Sequence, residues 1–289
     1  MASKLDAVIV GGGPVGLFLG ARLVQLGFSV RVLEPRLGPR AHPRAIGVHP
    51  PALECLAELG LADAFVREGV RISRGHAYAG TKRLGTLSFS ELPGPYPFVL
   101  TLPQPRTEGL LEERLAELEP GTLLRGVKAV GLGVGTEHVR VELSSGETLS
   151  ARFLVAADGK ASFVRETLQI PFGGRTYPDS YLMGDFLDTT DFGTDAALYF
   201  TRAGLVESFP LPGGVRRWVV KTPRWVREPT PELLAEFVRA RLNLTLPAET
   251  NTMLSTFGIQ RFLARTFATG RVALVGDAAH VVSPIGGQG

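Results

Sequence analysis

Three glycines and an acid set the first chemical expectation. Gly11, Gly13 and Gly16 stand at the positions of a G-x-G-x-x-G turn, with Pro14 and Val15 inside it. Missing β-carbons there permit a sharp bend, close approach of the backbone to a pyrophosphate, and close packing of a helix on its strand. Glu34 closes the next apolar run, where a carboxylate can accept hydrogen bonds from both hydroxyls of an adenosine ribose. Two further pairs, Asp158-Gly159 and Gly276-Asp277, each put a carboxylate beside a glycine just after a short apolar run. Such carboxylates can fix loop amides or accept from ribose and ribityl hydroxyls. Asp158 reads equally as an Asx turn. The chemistry in view is the gripping of a dinucleotide; no Ser-His-Asp or metal-ligand arrangement accompanies these residues.

Regular elements must carry them. Residues 7–10 form an unbroken apolar run, which predicts a strand buried on both faces of a parallel sheet. Leu17, Leu19, Leu23, Val24 and Leu26 give the apolar face of a following helix, with Gly20 keeping one turn thin and Gly27 placed to end it. The positive end of that helix points at the glycine turn. A second strand over residues 29–33 leads into Glu34. A bare glycine triplet is an ordinary helix-capping turn, but strand, triplet, helix, strand and acid in one βαβ unit specify dinucleotide binding. Glu34 alone does not choose between FAD and NAD.

Arg36, Arg40 and Arg44 follow in a Pro- and Gly-rich loop, where guanidinium forks can clamp phosphate oxygens. Arg36 and Arg40 read more simply as solvated loop residues, whereas Arg44, just ahead of the apolar residues 45–48, is expected to face inward. His42 and His49 read as local hydrogen-bonding residues. A helix is predicted over residues 107–118, with Gln104 and Arg106 just before its start and able to meet a ligand at that helix end. Residues 122–149 alternate as three strands, with Ser145-Gly146 as a hairpin turn. Gly131, Gly133 and Gly135 imitate a second nucleotide loop, but no helix follows them. A buried strand over residues 153–156 then turns at Asp158 into a short helix ending near Leu168.

Residues 70–98 alternate between Gly and Pro breaks as antiparallel strands, and residues 176–267 are strand-rich and aromatic, with strands near 181–187, 196–200, 206–210, 216–221 and 254–260 and a helix near 231–242. Phe186, Tyr199, Phe209 and Trp218 read as core, with an aromatic pocket as the alternative. The strand over 272–275 rejoins the parallel sheet. Pro284, Gly286, Gly287 and Gly289 then offer a stiff lead-in and bare backbone against which a flat ring can pack. His280 reads as a structural hydrogen bonder. The fold class is therefore α/β, a Rossmann-like dinucleotide domain (1–75, 98–175 and 268–289) with a mostly antiparallel substrate domain of α+β type (76–97 and 176–267).

Size and composition agree with this. A chain of 289 residues, 44% hydrophobic, can hold one large or two modest cores. A formal charge of +3 without a basic run suits a polyanionic cofactor and excludes a nucleic-acid surface. Cys55 is the single cysteine, expected in the core, so no internal disulfide forms and a reducing compartment is expected. No leader and no bilayer-length apolar run stand in the sequence, which makes cytoplasm the expected location.

With Gly11-x-Gly13-x-x-Gly16 and Glu34, Arg44 in HPRAIGVHPPALECL, Gln104, Asp158-Gly159 in AADGKASFVR and Gly276-Asp277 in GDAAHVVSPIGGQG, the chain resembles the class A flavoprotein monooxygenases of the para-hydroxybenzoate hydroxylase and phenol hydroxylase type. The resemblance implies FAD as cofactor, NAD(P)H as a transiently docked co-substrate, dioxygen, and an aromatic small molecule hydroxylated through a flavin C4a-hydroperoxide. It implies that Glu34 holds the adenosine ribose, Arg44 and Gln104 contact the extended FAD, Asp277 holds the ribityl chain, and Asp158-Gly159 serves both nucleotides. Arg106 is a weaker carry-over, and residues 284–289 would lie against the isoalloxazine. Asp185 and His49 are candidate substrate bases, each with a simpler structural reading, and no catalytic residue is assigned. In the family the turn after Gly276-Asp277 runs into a further helix, so a C-terminal segment or a second chain is expected to complete the site. Flavin halogenases fit less well, since Trp218 and Trp225 do not form their Trp-x-Trp-x-Ile-Pro signature. A flavin-binding module without turnover is the alternative from another class.

Overall fold

The computed structural model describes residues 5–38, 45–80 and 82–283. Strand Leu5–Val10 lies at the centre of a sheet in which Val272–Leu274, Thr148–Ala156, Leu5–Val10, Val30–Glu34 and Leu123–Arg125 run parallel in that order. Both faces of the central strand are buried, Ala7 and Ile9 on one side and Val8 and Val10 on the other, as its unbroken apolar run requires. Helices Pro14–Gln25 and Gln104–Leu118 pack together on the first face, burying Leu17 and Ala21 with Leu110, Leu111 and Leu115. The antiparallel strands Ala129–Val134 and Val139–Leu143 extend from Thr148–Ala156 and help close the second face.

A second sheet runs in the order His280–Val281, Met253–Ala264, Phe172–Leu187, Val215–Thr222, Gly204–Leu211, Ala196–Thr201, Arg74–Ala79 and Lys82–Ser88. It is antiparallel except where Ala196–Thr201 meets Arg74–Ala79. Helix Pro231–Leu242 covers one face, placing Leu234 and Val238 on Leu182, Phe186, Tyr199, Val206 and Trp218. Phe186, Tyr199 and Trp218 are thus core residues, while Phe209 packs on the opposite face with Tyr181, Met183, Val219 and Ile259. The helix starts at Thr230, whose hydroxyl accepts from the amide of Leu233, and stops at Asn243 in the left-handed conformation. Thr230→Ala is expected to lower stability by about 1 kcal/mol, read as a shift of the urea midpoint.

Between the sheets, Gly47–Val48, Val99–Thr101 and Val70–Ile72 form a small antiparallel sheet of their own. Three expectations are corrected. The helix predicted from residue 107 begins at Gln104, because Pro103 is its N-cap and Pro105 falls in the first turn, where a missing amide hydrogen costs nothing. Cys55 is exposed, since Leu53 and Leu56 form the inward face of helix Pro50–Glu58. Leu26 is likewise exposed, one residue past the end of its helix. Among the described residues no helix is long and apolar enough to cross a membrane.

Candidate functional site

The parallel register decides where the motifs meet. Leu33, Val10, Ala156 and Leu274 stand side by side at the carboxyl ends of adjacent strands. Glu34, the glycine turn, Asp158 and Gly276-Asp277 therefore leave the sheet along one edge, in that order. With neighbouring strands about 4.8 Å apart, three steps put Glu34 and the Gly276-Asp277 turn roughly 14 Å apart, a span for an extended ligand.

Glycines draw the four segments onto one loop. Gly11 has φ +112°, and a β-carbon on it would lie 2.3 Å from the carbonyl oxygen of Ala157. A β-carbon on Gly12 would lie 2.7 Å from the Cβ of Glu34, and one on Gly276 would lie 3.2 Å from Val15. Gly16 sits buried against the carbonyl oxygen of Gly11. Gly13, by contrast, faces open space at the N-cap of helix Pro14–Gln25, whose first turn holds Pro14 and no side-chain cap or acid. A bare twelve-residue helix end facing open space is suited to an anion.

Glu34 is 4% exposed. One oxygen accepts from the Arg36 amide (3.0 Å) and Nε (2.7 Å), the other from the Gly12 amide (2.9 Å) and Arg36 Nη2 (3.2 Å). Burial pushes its carboxyl up, but the Arg36 side-chain and amide bonds outweigh this and hold it below the usual value. Arg36 is thus no solvated loop residue; it folds back on Glu34, and its buried Nη1, 3.8 Å from Glu108, has no hydrogen-bond partner.

Asp158 fixes its own turn, though through an amide six residues on and not as the short Asx turn. One oxygen accepts from the Val164 amide (3.2 Å), fixing the turn through Gly159 into helix Phe163–Thr167, while the other is buried without a partner. Burial holds this carboxyl above its ordinary value. Asp277 is exposed in the turn Gly276–Ala278. A residue that the sequence reading left unassigned ties the two turns together. Arg165, 4% exposed, donates to the carbonyls of Ala278 (3.0 Å) and Lys160 (2.6 Å) and stacks on Phe172.

Gln104 and Arg106 lie in the first turn of their helix. Gln104 donates to Glu108 (2.8 Å), and the Arg106 guanidinium is taken up by Glu68 and Glu113. Arg40, His42, Arg44, Pro284, Gly286, Gly287 and Gly289 lie outside the described residues. His49 stands at the N-cap of helix Pro50–Glu58. Asp185 is held by Arg217 through two bonds of 2.6 and 2.8 Å, which gives it a structural role instead of a free base.

The second sheet joins this edge. Lys160 of the Asp158 turn bonds Gln260, and the strand His280–Val281, just past Asp277, pairs with Phe262 and Leu263. Thr101 donates to the carbonyl of Pro210 at 2.6 Å. On the face away from helix Pro231–Leu242 lies Glu207, which the sequence reading missed. Burial pushes its carboxyl up to about 7. A folded carboxyl that keeps its proton above the unfolded value costs nothing below about pH 4.5 and destabilises increasingly as pH rises toward 7. Glu207→Gln is accordingly expected to stabilise the chain by about 3 kcal/mol near pH 8 and hardly at all near pH 4, read by urea unfolding.

Comparison with known proteins gives a consistent result. The FAD binding domain family matches residues 4–289. A rifampicin monooxygenase of Streptomyces venezuelae is 34% identical over 294 residues, covering 98% of this chain and 60% of its own length. A 6-methylpretetramide 4-monooxygenase of Streptomyces rimosus is also 34% identical over 294 residues, covering 98% of this chain and 52% of its own. The crystal structure of p-nitrophenol 4-monooxygenase from Pseudomonas putida DLL-E4 superposes with a TM-score of 0.87 at 26% identity, covering 99% of this chain and 76% of that one. The chain thus spans between 52% and 60% of these two curated relatives.

Proposed function

The chain belongs to the FAD binding domain family, and from that premise we propose that it holds FAD along the shared strand edge and hydroxylates an aromatic, phenolic or polyketide-like molecule with NAD(P)H and dioxygen. The observation that carries this reading is the set of close approaches at Gly11, Gly12 and Gly276, which put three acidic motifs around one glycine turn. The residues present fit the cofactor. Open space lies in front of Gly13 at a bare helix end, and one oxygen of Asp158 is buried without a partner.

In this proposal the helix end and glycine turn hold the pyrophosphate and Glu34 the adenosine ribose. Asp158-Gly159 and Gly276-Asp277 take hydroxyls farther along. Residues 1–75, 98–175 and 268–289 bind the nucleotide, and residues 76–97 and 176–267 the substrate. Bound FAD would supply hydride acceptance from NAD(P)H and activation of dioxygen. The chain's own task is to orient the ring, exclude water and manage the substrate's proton. A cytoplasmic location belongs to the same proposal.

The test is a visible spectrum of the purified chain with FAD, then NAD(P)H consumption across a panel of phenols with product mass. A flavin spectrum, phenol-stimulated oxidation and a product heavier by one oxygen atom are expected. Colourless protein that takes up no FAD would end the proposal, while bound flavin with no oxygenated product would favour a binding module. Glu34→Gln, which weakens the bonds that hold the Gly12 amide and Arg36 beside the glycine turn, is expected to raise the Kd for FAD about tenfold, measured by flavin fluorescence titration.

A further inference from the structure

Glu207 lies within strand Gly204–Leu211, and strand alternation sends its side chain to the same face as Phe209, away from helix Pro231–Leu242. The register places apolar residues on either side, Val219 on one neighbouring strand and Leu198 on the other. Glu207 is 7% exposed, yet among the described residues it accepts no hydrogen bond and joins no ion pair.

The cationic groups around it are committed elsewhere. Arg217 is bound to Asp185, and Lys221 to Asp179. Arg71, on the small sheet packed against this strand, lies over the Phe98 ring. From the opposite face, Arg241 reaches the carbonyl of Leu205. The Tyr181 phenol, on the same face as Met183 and Val219, senses the Glu207 charge. A lone buried carboxyl weakens a fold unless it has a partner, and a leucine or glutamine would fill the place at less cost. Burial also poises this carboxyl at about 7, where a side chain both takes and returns protons readily.

We infer that Glu207 is the proton acceptor for the hydroxyl of a phenolic ring held against this sheet face. The phenol O–H bond breaks, a new O–H bond forms on the Glu207 carboxylate, and the ring keeps the electron pair as phenolate. The carboxyl then returns its proton to solvent. This assignment rests on the monooxygenase reading of the same site and gives that reading its missing base.

The test compares the FAD-loaded wild type with Glu207→Gln and Glu207→Leu. Turnover uses phenol itself, which in solution keeps its proton across the pH range used, and binding uses 4-nitrophenol, whose colour reports its ionisation. In the wild type, kcat/KM for phenol-stimulated NAD(P)H oxidation is expected to fall as pH drops from about 8 to about 6. Both variants are expected to lose that acid limb and at least about a hundredfold in kcat near pH 8, with FAD affinity unchanged. Without any turnover, 4-nitrophenol bound to the apoprotein near neutral pH is expected to show more of its phenolate band on the wild type than on either variant. Either variant, folded and flavin-loaded, that keeps the wild-type rate and acid limb would overturn the assignment alone. A wild type that takes up no FAD would overturn the monooxygenase reading and this assignment with it.

Discussion

Gly11→Ala is expected to destabilise the chain by about 4 kcal/mol, enough to consume much of the stability an ordinary domain possesses. Two separate effects add. At φ +112° an alanine is strained whatever the space around it, by about 1–3 kcal/mol. Its methyl group would also sit 2.3 Å from the carbonyl oxygen and 2.5 Å from the carbonyl carbon of Ala157. These are main-chain atoms of the turn that carries Asp158, so relief requires moving that turn and whatever it holds. Gly13→Ala supplies the contrast, since φ is −79° there and no atom lies within 4 Å of the added carbon. That variant is expected to keep its urea midpoint while losing FAD affinity, because in the proposed binding mode the methyl group would occupy the cofactor's space. Equal midpoints for the two variants would refute the argument.

Arg217→Ala is expected to cost about 3–5 kcal/mol. Arg217 is 2% exposed and Asp185 7%, and they share two hydrogen bonds between neighbouring strands. Removing the guanidinium leaves a carboxylate in an apolar setting with its strongest partner gone. The double variant Asp185→Leu with Arg217→Met is expected to be more stable than either Asp185→Leu or Arg217→Met alone. Urea unfolding of all four proteins closes the cycle. Additive effects would mean that the pair contributes nothing as a pair.

Much of the shared strand edge was legible because each motif is local. An apolar run, a turn and an acid within a few residues specify a strand end wherever the strand is placed, and the parallel register then lines up Glu34, Asp158 and Asp277. Less was legible where a residue's role depends on partners distant in sequence. Arg36 reads as solvent-facing until Glu34 is seen to bend back to it across Pro35. Asp185 reads as a possible base because Arg217, 32 residues on, is nowhere near it in the sequence. Glu207 sits in an alternating strand where a polar residue ordinarily points to water, and only assembly of the sheets buries it. Gln104 falls inside its helix and not before it, because Pro103 and Pro105 stand where a helix start tolerates them.

Glu34 has one further consequence for recognition. A carboxylate offers about four lone pairs, and in this structure the Gly12 amide and Arg36 already fill them. A sugar arriving at this corner must displace guanidinium donors, so its hydroxyls substitute for existing bonds and add few. The adenosine half of the ligand should therefore act as a selector with little intrinsic grip. Adenosine alone is expected to bind far more weakly than ADP, whose diphosphate would engage the bare helix end in the proposed binding mode, and calorimetry of the two fragments would separate selection from adhesion.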